Sequence, residues 1–289
     1  MRTLVIGKNG MLGSVFRDKE VILPGNCTFL DIDEVDITRH EQVALVMQDI
    51  KPAFLVNCSA YTNVDGAEDQ QKLSHAINAD GVRNLAVECK KYGSKLIHYS
   101  TDFIFDGKSL IPYKENDVPH PLNVYGQTKL DGELAIQSVL PEAQYIILRT
   151  SWLFGPRGKN FVATMISLAK NKTPLKVVTD QTGSPTFTRD LAKATCALIE
   201  KNAAGVFHYC NSGSCSWYEF ARYAIDCAGM TDYPVAQTIS ADFKRPAKRP
   251  EYSLLSTERF ISVCGYTPRH WHEAVREYVT EYISQQPPV

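Results

Sequence analysis

Tyr125 and Lys129 stand four residues apart, downstream of Ser100-Thr101-Asp102 and of a glycine-rich start at Gly7, Gly10 and Gly13. On a helix, residues i and i+4 share a face, so the spacing predicts an ammonium beside a phenol. A neighbouring positive charge favours phenolate and lowers a tyrosine pKa. That suits the phenol to give or take a proton near neutral pH. Thr101, at the end of a strand, can offer a hydroxyl to the same oxygen. These groups match the needs of carbonyl reduction by a nicotinamide. Hydride arrives on one face, a proton comes from the tyrosine, and hydroxyls hold the oxygen. An isolated Tyr-x-x-x-Lys is a common surface pattern, so its weight here comes from the elements around it.

Those elements alternate. Thr3–Ile6, Cys27–Leu30, Ala53–Cys58, Lys95–Tyr99 and Tyr145–Leu148 are short apolar runs that read as buried strands. Between them lie helical stretches over 11–20, from Thr38-Arg-His-Glu41, over 67–91 and over 123–139. The Thr38–Glu41 stretch has the pattern of a capping box, followed by Val43, Val46, Met47 and Ile50 at helical spacing. Residues 103–123 read as a long loop. Strands separated by helices of this length predict βαβ units on a parallel sheet. With a glycine turn after the first strand, the fold class is α/β, a Rossmann-type doubly wound parallel sheet with a small C-terminal substrate-binding lobe. Residues 1–151 and about 176–208 are assigned to the dinucleotide-binding domain, and about 152–175 and 209–289 to the lobe. In the second half, Ser216-Trp-Tyr-Glu219 is again a capping box, and a last helix is expected over 271–283.

The turn Gly7-Lys8-Asn9-Gly10-Met11-Leu12-Gly13 follows a strand and opens a helix. Its glycines allow a tight turn, close backbone approach to a pyrophosphate and close helix packing. The helix N-terminus then faces the phosphates. The spacing is G-x-x-G-x-x-G rather than G-x-G-x-x-G, so strand context carries the reading. Asp31 ends the second strand and can accept hydrogen bonds from the adenosine ribose, which favours NAD over NADP. Its segment holds four acids, and Asp36-Ile37 is an alternative flank for the adenine. Ser59, Ala60 and Tyr61 end the third strand, where small residues let backbone meet cofactor. Asp102 is read either as a contact to substrate hydroxyls or as a turn cap.

The formal net charge is −1 and no apolar run reaches the ~20 residues of a membrane helix. Neither nucleic acid nor membrane is expected as a partner. The strand beginning at Arg2 leaves no room for a signal peptide, so a cytoplasmic location is expected. The eight cysteines are scattered without a Cys-x-x-Cys and read as free thiols, a Cys210–Cys215 bridge being unsupported. No histidine set has metal-ligand spacing. The basic cluster Lys244, Arg245, Lys248 and Arg249 is read either as a site for a diphosphate or as a solvated loop.

Several longer stretches go further. Asn57–Glu68 (NCSAYTNVDGAE), Ser100–Gly107 (STDFIFDG), Pro121–Glu133 (PLNVYGQTKLDGE), Arg149–Gly155 (RTSWLFG), Asn160–Val162, Asp180–Pro185 (DQTGSP) and Arg245–Leu254 (RPAKRPEYSL) accompany the glycine turn. With them, nearly the whole chain resembles the dTDP-4-dehydrorhamnose reductase family of the extended short-chain dehydrogenase/reductases. The resemblance implies reduction of the C4 keto group of a dTDP-4-dehydro sugar by NADPH or NADH. It implies Tyr125 as proton donor, Lys129 on the nicotinamide ribose, and Thr101 ordering the site. Asp102, Phe103, Trp152 and Arg249 fall at substrate-side positions. Phe103 stands where the family usually has tyrosine, so a hydroxyl is missing while the aromatic wall stays. Some relatives are homodimers linked by magnesium through acidic residues, and no such residues are assigned here. A sugar 4,6-dehydratase needs a glutamate after Asp102, which Phe103 replaces. The alternatives are a reductase or epimerase for another 4-keto-6-deoxy nucleotide sugar, and a non-catalytic regulatory subunit like that of methionine adenosyltransferase.

Overall fold

In the computed structural model, which describes residues 1–285, the apolar runs become strands and the periodic stretches helices. The first half runs β1 (Arg2–Ile6), α1 (Gly13–Arg17), β2 (Asn26–Leu30), α2 (His40–Ile50), β3 (Phe54–Asn57), α3 (Val64–Asp69), α4 (Gln71–His75), a π-helical turn (Ala76–Asp80), α5 (Gly81–Tyr92), β4 (Lys95–Thr101), α6 (Val124–Val139) and β5 (Tyr145–Thr150). The second half runs β6 (Leu153–Phe154), α7 (Phe161–Lys170), β7 (Leu175–Val178), β8 (Thr182–Gly183), β9 (Thr186–Phe187), α8 (Thr188–Glu200), β10 (Gly205–His208), β11 (Cys215–Ser216), α9 (Trp217–Cys227), β12 (Val235–Thr238), α10 (Glu258–Cys264) and α11 (Trp271–Ser284).

Six strands form one parallel sheet in the order β10-β5-β4-β3-β1-β2. Strand residues alternate faces, and both faces are covered. Val5 packs with Val15, Phe16, Leu191 and Leu198 under α1 and α8. Leu4 and Ile6 pack with Met47, Val82, Leu85 and Ile136 under α2, α5 and α6. The strand order reverses at β1, whose successor β2 lies on one side and β3 on the other. In such sheets ligands bind outside the carboxyl ends of the strands at this switch point.

The lobe is built from α7, α9 and α11. They enclose Phe154, Phe187, Phe220, Trp271 and Tyr278, all essentially buried. Each such side chain stabilises the lobe by roughly 1.5–3 kcal/mol relative to exposure. The Ser216 capping box forms as predicted: Ser216 Oγ accepts from the Glu219 N–H, and Glu219 accepts from the Ser216 N–H.

Four expectations are corrected. The helix after Thr38 begins at His40 with Arg39 at its cap, because the Thr38 hydroxyl donates to Asp36 instead (2.7 Å). The first helix is short, Gly13–Arg17, since the glycine turn occupies the preceding residues. The stretch 67–91 is not one helix. It breaks at Gln70 and widens into the π turn, which aims Asn78 at the Tyr61 backbone and at Thr128. Finally, β7, at the start of the stretch from about 176 assigned to the cofactor domain, pairs with β12, and the chain rejoins the large sheet at β10. Cys210 and Cys215 are free thiols. No helix among the described residues is long and apolar enough to cross a membrane.

Candidate active site

The glycine turn sits where β1 and β3 meet. Gly7 has φ +86°, and a Cβ there would lie 2.7 Å from the Ser59 nitrogen. A Cβ on Gly13 would lie 2.0 Å from the Gly7 carbonyl oxygen. Only glycine fits either position, and the turn is wound tightly against the end of β3. Asp31 closes the cradle from β2: its carboxylate accepts from the Asn9 N–H (2.7 Å) and the Ile32 N–H (2.8 Å). Ser59 donates its hydroxyl to Asn57 Oδ1 at 2.5 Å. Ala60 follows it, and the Tyr61 backbone is held by Asn78. Gly10 and Met11 lie on the open side of the turn, while Leu12 is part of the core. The bare turn, its carboxylate and the short side chains beside it fit a dinucleotide. Asp36 caps its own turn by accepting from Thr38, and Ile37 is buried among Val35, Val82 and Leu85. Of the two readings of this acidic segment, the placement favours Asp31 at the cradle.

The catalytic candidates converge at the end of β4. Asn123 caps α6, its side chain accepting from the Gly126 N–H (2.8 Å), and Glu68 accepts from the Val124 N–H (2.9 Å). Gly126 lets the helix touch the strand end, since a Cβ there would lie 2.2 Å from the Phe103 carbonyl oxygen. That contact brings Tyr125 to the Thr101 hydroxyl, which favours the ionised phenol. Thr101 also donates to Asp102 Oδ1 (3.0 Å) and accepts from the Phe103 N–H (3.2 Å). Asp102 Oδ2 is buried with no partner among the described residues. Burial pushes the Asp102 carboxyl up to about 6, with Ser253 and Thr101 pulling it partly back. The Phe103 ring meets Tyr125 edge-on, centroids 6.0 Å apart.

The pairing of Tyr125 with Lys129 is corrected. Lys129 lies on the same helix, but its ammonium reaches past the tyrosine to the Tyr99 carbonyl (2.6 Å) and to His98 Nε2 (3.3 Å). A buried ammonium needs an acceptor, and the β4 backbone supplies one. Burial lowers its pKa to about 8, Glu133 opposing. The Tyr125 phenol is raised, not lowered, to about 12: burial dominates, Thr101 opposes and Asp102 adds to the rise. His98 is held by Asn57 on its other nitrogen (3.1 Å), and burial together with Lys129 drives it well below the usual imidazole range. Thus Asn57 joins the cofactor cradle to the lysine. No pattern in the sequence singles out His98.

Thr101, Asp102, Phe103, Tyr125, Trp152 and Arg249 line one cavity of about 830 Å³ between sheet and lobe. Its far wall is Trp152, which has φ +47° and stacks on Trp217 at 3.8 Å. Trp217, Lys159, Lys176 and Gln181 also line it and escaped the sequence reading, because their neighbours there come from distant segments. Arg249 is at the rim, forked onto Asp65. Ser100 is buried, its hydroxyl without a partner among the described residues. Among the described residues no group of three or more His, Cys, Asp or Glu side chains could hold a metal ion.

Residues 1–284 match the family model described as RmlD substrate binding domain. A Bacillus subtilis relative named spore coat polysaccharide biosynthesis protein SpsK is 41% identical over 81% of both chains. A dTDP-4-dehydrorhamnose reductase of Aggregatibacter actinomycetemcomitans is 37% identical over 95% of this chain and 97% of the relative. The crystal structure of dTDP-4-dehydrorhamnose reductase from Bacillus anthracis in complex with NADP superposes with a TM-score of 0.92. It is 37% identical and covers 97% of this chain and 99% of that one.

Proposed function

This chain belongs to the RmlD substrate-binding-domain family, and on that premise we propose that it reduces the C4 keto group of dTDP-4-dehydro-β-L-rhamnose to dTDP-L-rhamnose. The observation that carries this reading is the single cavity that unites Thr101, Asp102, Tyr125 and the Trp152 wall. Its volume lies within the roughly 300–1,000 Å³ range of small-molecule sites, and it opens beside the glycine cradle. Gly7–Gly13, Asp31 and Ser59–Tyr61 hold NADPH or NADH, which supplies the hydride. Tyr125 donates the proton to the C4 oxygen: burial keeps the phenol protonated at neutral pH, so the proton is there to be given as the oxygen gains charge from the hydride. Thr101 places its hydroxyl beside that phenol. Lys129 fixes the end of β4 from behind and presents a charge poised near neutrality toward the ribose side. Phe103 and Trp152 exclude water from the sugar. Both nicotinamides are accepted, Asp31 tolerating the ribose of NADH. The substrate is a soluble nucleotide sugar, and the work is done in the cytoplasm.

The test is nicotinamide oxidation, followed by absorbance, with the 4-keto sugar generated in situ from dTDP-glucose. Substrate-dependent oxidation that yields dTDP-L-rhamnose is expected with both cofactors. Oxidation that yields a different 6-deoxy sugar would replace the substrate, and folded protein that binds cofactor without oxidising it would overturn the reading.

A further inference from the structure

Arg249 offers a planar fork of the kind that grips phosphate, yet its fork is taken. Its Nη1 donates to Asp65 Oδ1 at 2.7 Å and its Nη2 to Asp65 Oδ2 at 2.8 Å. Arg245 adds a third guanidinium contact at 3.5 Å, and the Ala247 N–H a further bond at 3.3 Å. Arg249 and its neighbours hold the Asp65 carboxyl below the ordinary carboxylate range. Asp65 lies on α3, beside the large sheet, whereas residues 245–251 follow β12 of the lobe. The pair therefore spans the mouth of the cavity.

The strap is tethered on both sides of that contact. Asn123 Nδ2, from the cap of the Tyr125 helix, donates to the Lys248 carbonyl at 2.7 Å. The Thr182 N–H donates to the Glu251 carbonyl, also at 2.7 Å. A bidentate pair adds geometric definition that a single contact lacks. The cavity is also lined by Lys159 and Lys248, and neither has an ion pair among the described residues.

We propose that Asp65 is a positioning residue: its fork with Arg249 fixes the strap 245–251 across the cavity mouth, and the diphosphate of the substrate is taken by Lys159 and Lys248 rather than by Arg249. The identity of the ligand rests on the nucleotide-sugar reading above, while the latch rests on the contacts alone. Asp65→Asn and Arg249→Gln then have the same effect, each raising KM for the dTDP-sugar about tenfold while kcat changes less. The double variant is no worse than either single one, and the reversed pair Asp65→Arg with Arg249→Asp recovers most of the loss. Hydrogen exchange in the peptide covering 244–251 rises in both single variants, with cofactor binding and thermal unfolding retained.

If Arg249 grips the diphosphate itself, Arg249→Gln raises KM while Asp65→Asn leaves it unchanged or lowers it. That outcome overturns the proposal. Should Asp65→Asn not fold, Arg249→Lys takes its place, since it keeps the charge and loses the fork; wild-type kinetics in that variant also overturn the latch. Failure of the substrate reading is recognised separately. Wild type then turns over no dTDP-sugar, and unchanged hydrogen exchange in Asp65→Asn is what removes the latch.

Discussion

The floor of the cavity and its mouth are built on opposite principles. At the floor, Thr101, Asp102 and Tyr125, with Lys129 behind them, lie at the end of a central strand and along the helix packed on it, and protein surrounds their polar groups. Burial there displaces Asp102 to about 6, Lys129 to about 8 and Tyr125 to about 12. At the mouth, Lys159, Lys248 and Arg245 are exposed. Their work is done by charge at the surface, where solvent weakens each interaction. The contrast separates two tasks. Proton transfer needs groups whose ionisation the protein controls, and control comes from desolvation. Capture of an anionic ligand needs charge that water can still reach.

Three measurements press on this division. The largest effect falls on the floor: Tyr125→Phe lowers kcat by roughly 10²–10⁴-fold, the size of a lost general acid, while cofactor binding measured by nicotinamide fluorescence is kept. Turnover close to wild type in that variant would remove the phenol from the chemistry and dissolve the contrast.

The next effect is on stability. The folded pKa of Asp102 lies above its unfolded value, so the native state holds the extra proton between about pH 4 and 6. Stability then falls as pH rises through that window, and the full penalty is present above it. Asp102→Asn removes the penalty. It should raise unfolding free energy at pH 8 by about 3 kcal/mol at most, from about two units at 1.36 kcal/mol each. The gain should shrink below pH 6 and vanish near pH 4, and activity should drop. Equal unfolding midpoints for the two proteins across this range would mean that the carboxylate is not desolvated as its surroundings require.

The smallest effect belongs to the mouth. Replacing Lys159 and Lys248 together by Ala should raise KM for the dTDP-sugar about three- to tenfold and flatten its dependence on added salt. In Tyr125→Phe the salt dependence of substrate binding should persist. A salt dependence of the same slope in the lysine double variant would sharpen the comparison against us, since the attraction would then come from elsewhere.

How far the molecule was legible depended on the range of the forces involved. Five of the six sheet strands are legible as apolar runs, and the Ser216–Glu219 cap as a four-residue pattern, because each is decided within a few residues. Thr38 had the same pattern and failed, since Asp36 competed for its hydroxyl. The break between 67 and 91 was invisible because its cause is remote: Asn78 is claimed by Tyr61 and Thr128. The same holds for Lys129. Helical spacing correctly put it on the face of Tyr125, but the acceptor that turned its ammonium away sits on another strand.

By itself the sequence determined which groups are available and in what order. A glycine turn follows the first strand, a threonine ends the fourth, and tyrosine and lysine share one helix. These follow from local periodicity and from backbone positions that only glycine tolerates. The tertiary structure alone decided which of those groups are desolvated, which partners they take and what lies opposite them. Trp217 behind Trp152, His98 behind Lys129 and Asp65 across from Arg249 are separated by 65, 31 and 184 residues. Burial and pairing depend on distances in space, and nothing in local spacing specifies them.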